Sequence, residues 1–238
     1  RRRESRPHAL RAADVGISVQ HAVDVARESA DVVLLHRDLD VLRTGVEHGR
    51  RTFANTLKYI AITNSANFGN MISMALAAAA LPFLPLAAKQ ILLNNFLSDI
   101  PSLAISTDRV DEAAVACAQR WDVAEVRRFM VVFGLLSTAF DLLTFALLLA
   151  VFEADQATFQ TTWFVVSLLT ELAVVLVLRT RLPALQSMPG ATLLALTAMI
   201  AVLTLAIPFS GQLAVAFGFV PLPAQLLATA LAIVAGYV

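Results

Sequence analysis

The chain changes character near residue 58. Before that point, hydrophobic positions come in short β-branched runs at 15–19 and 32–35, and a helical pattern at 22–29 lies between them. This order predicts a strand, a helix and a strand, a fragment too small to bury a core by itself. Residues 38–58 read as a charged helix that runs directly into apolar sequence. A helix that begins in a polar domain and ends in a bilayer is a mechanical coupling element. Beyond it, polar residues become sparse over long intervals. A membrane-crossing helix needs about 20 mostly apolar residues, and such stretches fall near 59–81, 84–106, 129–151, 162–178, 191–209 and 219–237. The predicted fold is mainly α, a polytopic membrane bundle of six spans over residues 59–238, preceded by a stalk helix at 38–58 and a small α/β segment at 1–37.

Composition agrees: 58% of the 238 residues are hydrophobic, 15% are charged, and the mean hydropathy is +0.72. The net charge of zero hides an asymmetry that sets orientation. Arg43, Arg50, Arg51 and Lys58 precede the first span, Arg109, Arg120, Arg127 and Arg128 separate the second from the third, and Arg179 and Arg181 follow the fourth. The connections at 152–161 and 210–218 contain no Lys or Arg. By the positive-inside rule, both termini and the basic loops are expected in the cytoplasm. Lys89, near the outer end of the second span, is expected to snorkel toward the interface. The lipid bilayer is the expected partner, and nucleic acid is not. Cys117 is the only cysteine, so neither a disulfide framework nor a cysteine-based metal site is expected. The basic run at 1–6 lacks a following apolar core and does not read as a signal peptide. Trp121 and Trp163 fall at predicted interfaces, where aromatic anchoring explains them. His8, His21, His36 and His48 show no metal-ligand spacing and read as solvated, while Gly16 and Gly49 read as turn or packing residues.

The chemistry concentrates in the helical hairpin 59–107. Asn67 and Asn70 are three apart, and Asn95, Ser98 and Asp99 fall at three- and four-residue spacings, so each set shares one helix face. Amides and a carboxylate at membrane depth are costly unless they line a path or a site. Hard divalent cations take oxygen ligands, and Mg²⁺ in particular keeps water and accepts few carboxylates. One carboxylate among neutral amides suits that preference, which makes Asp99, Asn95, Asn70 and Asn67 the candidate metal ligands, with Ser98 beside them. Pro101 removes a backbone donor and loosens the helix just beyond Asp99. Asn64, Ser65 and Asn94 read as residues that join helices through hydrogen bonds. Asp141 and Glu171 are carboxylates within spans, open to three roles: ion ligand, proton-coupling group, or partner of hydroxyls such as Thr144 and Thr170.

Several segments carry a family resemblance. Residues 7–19, PHALRAADVGISV, resemble the segment just after the Gly-Asp-Gly-x-Asn-Asp signature in the phosphorylation domain of P-type cation-transporting ATPases. Residues 26–35, ARESADVVLL, resemble the next helix and strand, and Glu47-His48-Gly49-Arg50 resembles the stalk. Asn67-Phe68-Gly69-Asn70, Asn95-Phe96-Leu97-Ser98-Asp99, Arg120-Trp121-Asp122, residues 140–145 and Leu178-Arg179-Thr180 resemble the magnesium-transporting branch in order and spacing. The resemblance implies that residues 1–37 are the end of a HAD-like phosphorylation domain and that the transported ion is Mg²⁺, taken up across a bacterial inner membrane. It implies ion contact at Asn67, Asn70, Asn95, Ser98 and Asp99, since the matching positions are ligands in the related calcium pumps. An acidic residue of those pumps is replaced here by Asn70, which argues against a two-calcium site.

The family's Asp-Lys-Thr-Gly-Thr motif and the Gly-Asp-Gly-x-Asn-Asp signature do not occur in these 238 residues, and His8 stands where alanine is usual. Phosphoryl transfer needs a nucleophile, a metal clamp and nucleotide positioning together. ATP therefore enters only through domains missing from this sequence, and the chain is not expected to hydrolyse it alone. The expectation is the C-terminal third of a pump, inactive by itself or completed by a separate chain carrying the N-terminal half. The alternative is a non-enzymatic membrane protein, a passive pore or an interaction partner, that kept the fold.

Overall fold

The structure is a computed structural model that describes residues 6–36, 38–180 and 187–237. Arg181 and the basic run before Arg6 lie outside the described residues. Residues through Gly49 and residues from Arg50 onward form two compact units. In the first, α1 (Arg6–Ala12) precedes β1 (Ile17–Val19), α2 (Asp24–Glu28) and β2 (Val32–Leu34). The strands pair in parallel, Ile17 opposite Val32 and Val19 opposite Leu34, with α2 as the crossover that a parallel pair requires. The expected strand-helix-strand order is present. Gly16 is a packing residue: a Cβ there would stand 2.7 Å from the Leu10 carbonyl oxygen. The Gly16 N–H donates to the Asp31 carboxylate at 2.7 Å, fixing the entry to both strands. All four histidines are exposed.

One unbroken helix, α3 (Leu39–Ala80), covers the expected stalk and first span. It is followed by α4 (Ala88–Ala104), α5 (Glu112–Ala116), α6 (Val123–Ala150), α7 (Gln156–Leu178), α8 (Ala191–Ala206), α9 (Gln212–Phe217) and α10 (Ala224–Tyr237). The ends differ from the hydropathy reading for local reasons. Pro82 and Pro85 hold the chain out of helix, so α4 begins four residues after the apolar run does. Asp122 caps α6 by accepting from the Ala124 N–H at 2.8 Å, and Asp155 caps α7 by accepting from the Thr158 N–H; both helices therefore start six residues before their apolar cores. Pro221 and Pro223 delay α10 to Ala224.

Among the described residues, three helices are long and apolar enough to cross a membrane, over Val123–Ala150, Gln156–Leu178 and Ala191–Phe209. The axis of the second unit is α7, buried almost continuously from Phe159 to Leu172, with α4, α6, α8 and α10 packed around it. Non-helical backbone survives beside it because its polar groups are satisfied within protein. Gln160 donates to the Leu84 carbonyl at 2.7 Å, and the Val220 N–H donates to the Thr161 hydroxyl at 3.1 Å. Lys89 donates to the Ala216 carbonyl at 2.7 Å, so it holds the end of α9. Helices α3 and α6 meet through glycine. A Cβ on Gly69 would stand 2.9 Å from the Gly134 carbonyl oxygen, and one on Gly134 would stand 2.6 Å from the Phe68 ring.

At the end of the bundle where α3 leaves its charged half, an ion cluster gathers around Asp108. Its carboxylate is fully buried and lies 3.3 Å from both Lys58 on α3 and Arg179 at the end of α7. The Gly190 N–H, at the start of α8, donates to the same carboxylate at 2.9 Å, and Asn55 of α3 donates to the Asp108 carbonyl at 2.9 Å. Burial pushes the Lys58 ammonium below its ordinary pKa, with Asp108 acting in the opposite direction. In the sequence, Lys58 and Arg179 help to orient the chain, and Arg179 also lies in a segment that carries the family resemblance. A loop aspartate carries no periodic signal that it is the centre of such a cluster.

Candidate ion-binding site

Asn70 on α3, Asn94 and Ser98 on α4, and Glu171 on α7 converge at one point inside the bundle. Glu171 is buried, its residue only 9% exposed, and its carboxylate accepts from the Asn70 amide and, at 3.1 Å, from the Asn94 amide. Ser98 lines the same depression as Glu171. Ser167, one turn before Glu171, donates to the Asn70 carbonyl oxygen at 3.3 Å. The Asn94 carbonyl oxygen is buried with no hydrogen-bond partner, an orphaned acceptor next to a carboxylate.

The residues expected as ligands divide between two environments. Asn70 and Ser98 are half-buried and turn toward Glu171, while Asn67, Asn95 and Asp99 are exposed. Asn67, Ser98 and Asp99 nonetheless line one depression between α3, α4 and α7, and Glu171 forms part of its wall. Asn95 is not part of that lining; its carbonyl accepts from Ser98 at 3.1 Å. Two carboxylates from different helices thus border one small basin, whose lining also includes the apolar Ile62, Ala66, Leu172 and Val175. Among the described residues no three His, Cys, Asp or Glu side chains cluster in a metal-binding arrangement, so oxygen donors beyond the two carboxylates come from amides and hydroxyls. Pro101 lies inside α4, which stays helical to Ala104. The proline lacks the N–H that would bond the Leu97 carbonyl in a regular helix, and Ser102 donates to the Ser98 carbonyl at 2.9 Å.

A second carboxylate pocket lies farther along the bundle. Asp141, 3% exposed on α6, accepts from the Ser73 hydroxyl at 2.6 Å and from the Trp163 indole N–H at 2.9 Å. Trp163 is 1% exposed, so its expected place at an interface is corrected: it is a core residue that satisfies a buried carboxylate, as a buried indole N–H generally requires a partner. Trp121 is exposed. Thr144 and Thr170 bond carbonyls of their own helices, Phe140 at 2.8 Å and Val166 at 2.9 Å, and the hydroxyl partner of Asp141 comes from α3 instead. Of the three residues read as joining helices, Asn94 does so through Glu171, whereas Asn64 and Ser65 bond the Ile60 and Ile62 carbonyls of α3 itself.

Comparison with known proteins shows the family. A family model described as "Cation transporting ATPase, C-terminus" matches residues 83–238. The magnesium-transporting ATPase, P-type 1, of Escherichia coli strain K12 is 47% identical over 234 residues, covering 96% of this chain and 26% of that protein. The protein of the same name from Salmonella typhimurium strain LT2 shows the same identity and coverage. An endoplasmic reticulum calcium ATPase of Aspergillus fumigatus is 33% identical over 113 residues, 47% of this chain and 12% of the fungal protein. The chain spans about a quarter of the length of the magnesium-transporting relatives that it matches over nearly all of its own. It belongs to the family of cation-transporting ATPase C-terminal regions, and over nearly all of its length it is similar to magnesium-transporting P-type ATPases.

Proposed function

We propose that this chain is the membrane module through which a P-type pump moves Mg²⁺, taken up across a bacterial inner membrane. The observation that carries this reading is the basin in which Asp99 of α4 and Glu171 of α7 stand together with Asn67 and Ser98. Two carboxylates balance one divalent charge, and neutral amides and hydroxyls complete an oxygen set that leaves room for retained water, as Mg²⁺ prefers. Asn70 and Asn94 supply further amide oxygens next to Glu171, and Asn95 lies on the same α4 face as Asp99. The names of the bacterial relatives support Mg²⁺ as the ion.

In this proposal the chain crosses the bilayer six times with both termini cytoplasmic. The membrane half of α3, 22 residues from Tyr59 to Ala80, measures about 33 Å at 1.5 Å per residue. The shorter α4 and α10 are extended by backbone that is hydrogen-bonded or buried within protein, including Phe219 and Leu222, both about 5% exposed or less. Residues 1–37 form the end of the phosphorylation domain. ATP chemistry belongs to polypeptide beyond these 238 residues, either joined to them or supplied by a separate chain.

The test is magnesium-dependent growth rescue by a complete pump carrying this segment. Asp99→Asn is expected to abolish transport and leave membrane insertion intact, Asp141→Asn to weaken it less, and Asn64→Ala to be mild. Rescue that survives Asp99→Asn but fails with Asp141→Asn would move the site onto α6 and overturn the assignment.

A further inference from the structure

Asp141 of α6 stands between the two helices that present Asn70 and Glu171. One of its carboxylate oxygens accepts from the Ser73 hydroxyl of α3 at 2.6 Å, and the other accepts from the Trp163 indole N–H of α7 at 2.9 Å. All three residues are buried, at 3% exposure or less. None of them lines the basin that holds Asp99 and Glu171.

Their places in the sequence tie this bridge to the amide cluster. Ser73 follows Asn70 by three positions, so it lies about 4.5 Å farther along α3. Trp163 precedes Ser167 by four positions and Glu171 by eight, so it sits roughly one and two turns back along α7. As the α3 position rises from Asn70 to Ser73, the α7 partner falls from Glu171 and Ser167 to Trp163. That is the order of an antiparallel pair in one register. Helix α6 is itself fitted closely to α3 on the face that carries Asp141. Gly134, Thr138 and Asp141 recur at helical spacing, the Thr138 hydroxyl lies 3.3 Å from the Gly69 carbonyl oxygen, and a Cβ on Gly69 would stand 2.9 Å from the Gly134 carbonyl oxygen. Helix α6 is therefore a splint along α3 whose contact at Asp141 reaches across to α7.

We propose that Asp141 is a positioning residue for the cation site: through Ser73 and Trp163 it fixes how far α3 is advanced along α7, and so the spacing between Asn70 and Glu171. The inference rests on the reading of the basin and its amide neighbours as the cation site. The hydrogen bonds from Asn70 to Glu171 and from Ser167 to Asn70 also link the two helices, but both run through a residue of that site. The Asp141 bridge uses none, so it holds the register whether or not an ion is bound. Fixed spacing matters because Mg²⁺ demands near-ideal octahedral geometry at about 2.0–2.1 Å, whereas Ca²⁺ takes oxygens at about 2.3–2.6 Å in flexible arrangements. A loosened register therefore weakens Mg²⁺ binding more than Ca²⁺ binding. The two hydrogen bonds act in series, so loss of either one opens the whole bridge.

The test measures initial rates of Mg²⁺ uptake over a range of external Mg²⁺ in cells producing the complete pump that carries this segment, with the amount of pump in the membrane determined for each variant. Ser73→Ala and Trp163→Phe, the latter keeping an aromatic ring beside Phe145, are each expected to raise half-saturating Mg²⁺ about three- to tenfold, the worth of one hydrogen bond. The maximal rate per pump should change little, as expected when binding rather than turnover is altered. Asp141→Asn, which sets an amide N–H against one of the two donors, is expected to match them. With Ca²⁺ as competitor, the ratio of half-inhibitory Ca²⁺ to half-saturating Mg²⁺ should fall by the same factor in all three. The Ser73→Ala, Trp163→Phe double variant should shift half-saturation no further than either single variant, as links in series require. Thr144→Val, which removes a buried hydroxyl that bonds the Phe140 carbonyl of its own helix, should leave it unchanged. Unchanged half-saturation in Ser73→Ala and Trp163→Phe, a fall in maximal rate alone, or shifts that multiply in the double variant would overturn the proposal. Ser73→Ala removes a single oxygen atom, so it carries the test even if the larger change at Trp163 prevents insertion. Asp99→Asn reads the basin separately: transport that survives it sinks the cation-site reading, whereas transport lost there with half-saturation unmoved by Ser73→Ala sinks only the positioning role.

Discussion

Replacing Asp108 by Asn tests whether the cluster at the ends of α3, α7 and α8 holds the bundle together. The substitution keeps the shape of the side chain and the acceptor for the Gly190 N–H, and removes only the charge. Two cations 3.3 Å away then lose their counterion. Arg179 has a side chain 1% exposed and no access to water, while Lys58 keeps 15% exposure and can turn outward. Breaking a buried pair by removing one partner costs about 3–5 kcal/mol, and partial relief at Lys58 places the expected loss near the lower end, about 3 kcal/mol. Asp108→Asn combined with Arg179→Met removes the stranded charge together with its partner. The double variant should therefore be more stable than the sum of the single losses predicts, by at least about 1 kcal/mol of coupling. Loss of helical circular dichroism during SDS titration of the detergent-solubilised chain measures each value. A cost for Asp108→Asn below about 1 kcal/mol, the worth of an exposed pair, or strict additivity in the double variant, would refute the reasoning.

Close packing and helix capping each lead to a further outcome. Gly69→Ala puts a Cβ 2.9 Å from the Gly134 carbonyl oxygen, and Gly134→Ala puts one 2.6 Å from the Phe68 ring and 3.2 Å from the Ser65 carbonyl oxygen; the same SDS titration should show a loss of about 1–3 kcal/mol for each. The Thr158 hydrogen bonds lower the pKa of Asp155 at the start of α7, so its folded state binds fewer protons than the unfolded one. Its capping contribution is complete above the unfolded carboxylate pKa of about 4 and is lost as pH falls through the lower folded value. Hydrogen exchange in the first turn of α7 should accelerate across that window in the parent chain, and should show no such step in Asp155→Ala.

Which features are legible in the sequence depends on which forces are local. Helical periodicity, proline stops and the polar hairpin are written within a few residues of one another, and α3, α4 and the polar face with Asn70 and Ser98 appear where those signals put them. The long-range pairs have no such signature. Asn70 meets Glu171 across 101 positions, and Asn94 meets it across 77, so a carboxylate with three open roles in the sequence becomes the centre of the amide cluster only when α7 is threaded between its neighbours. Trp163 misleads for a related reason. An aromatic near the start of an apolar run looks like an interfacial anchor until Asp155 is seen to begin the helix earlier, which carries the indole inward to Asp141.

The amide network also sets how Glu171 is held. Asn70 spends its N–H on Glu171 and its carbonyl oxygen on the Ser167 hydroxyl. Both ends of the amide are therefore engaged, and turning it would break both hydrogen bonds at once. Asn94 stands apart: its carbonyl oxygen is buried and unpartnered while its amide donates to Glu171, so it can receive a ligand without breaking a bond. Asn94→Leu removes the donor and the open acceptor together, whereas Asn70→Leu also leaves the Ser167 hydroxyl without its acceptor. With the carboxylate short of one donor in either case, Asn70→Leu is expected to be the more destabilising by about 1 kcal/mol. Equal losses in the SDS titration would mean that Ser167 finds another acceptor on α7 at no cost, and that the coupling between Asn70 and its neighbours is weaker than the geometry implies.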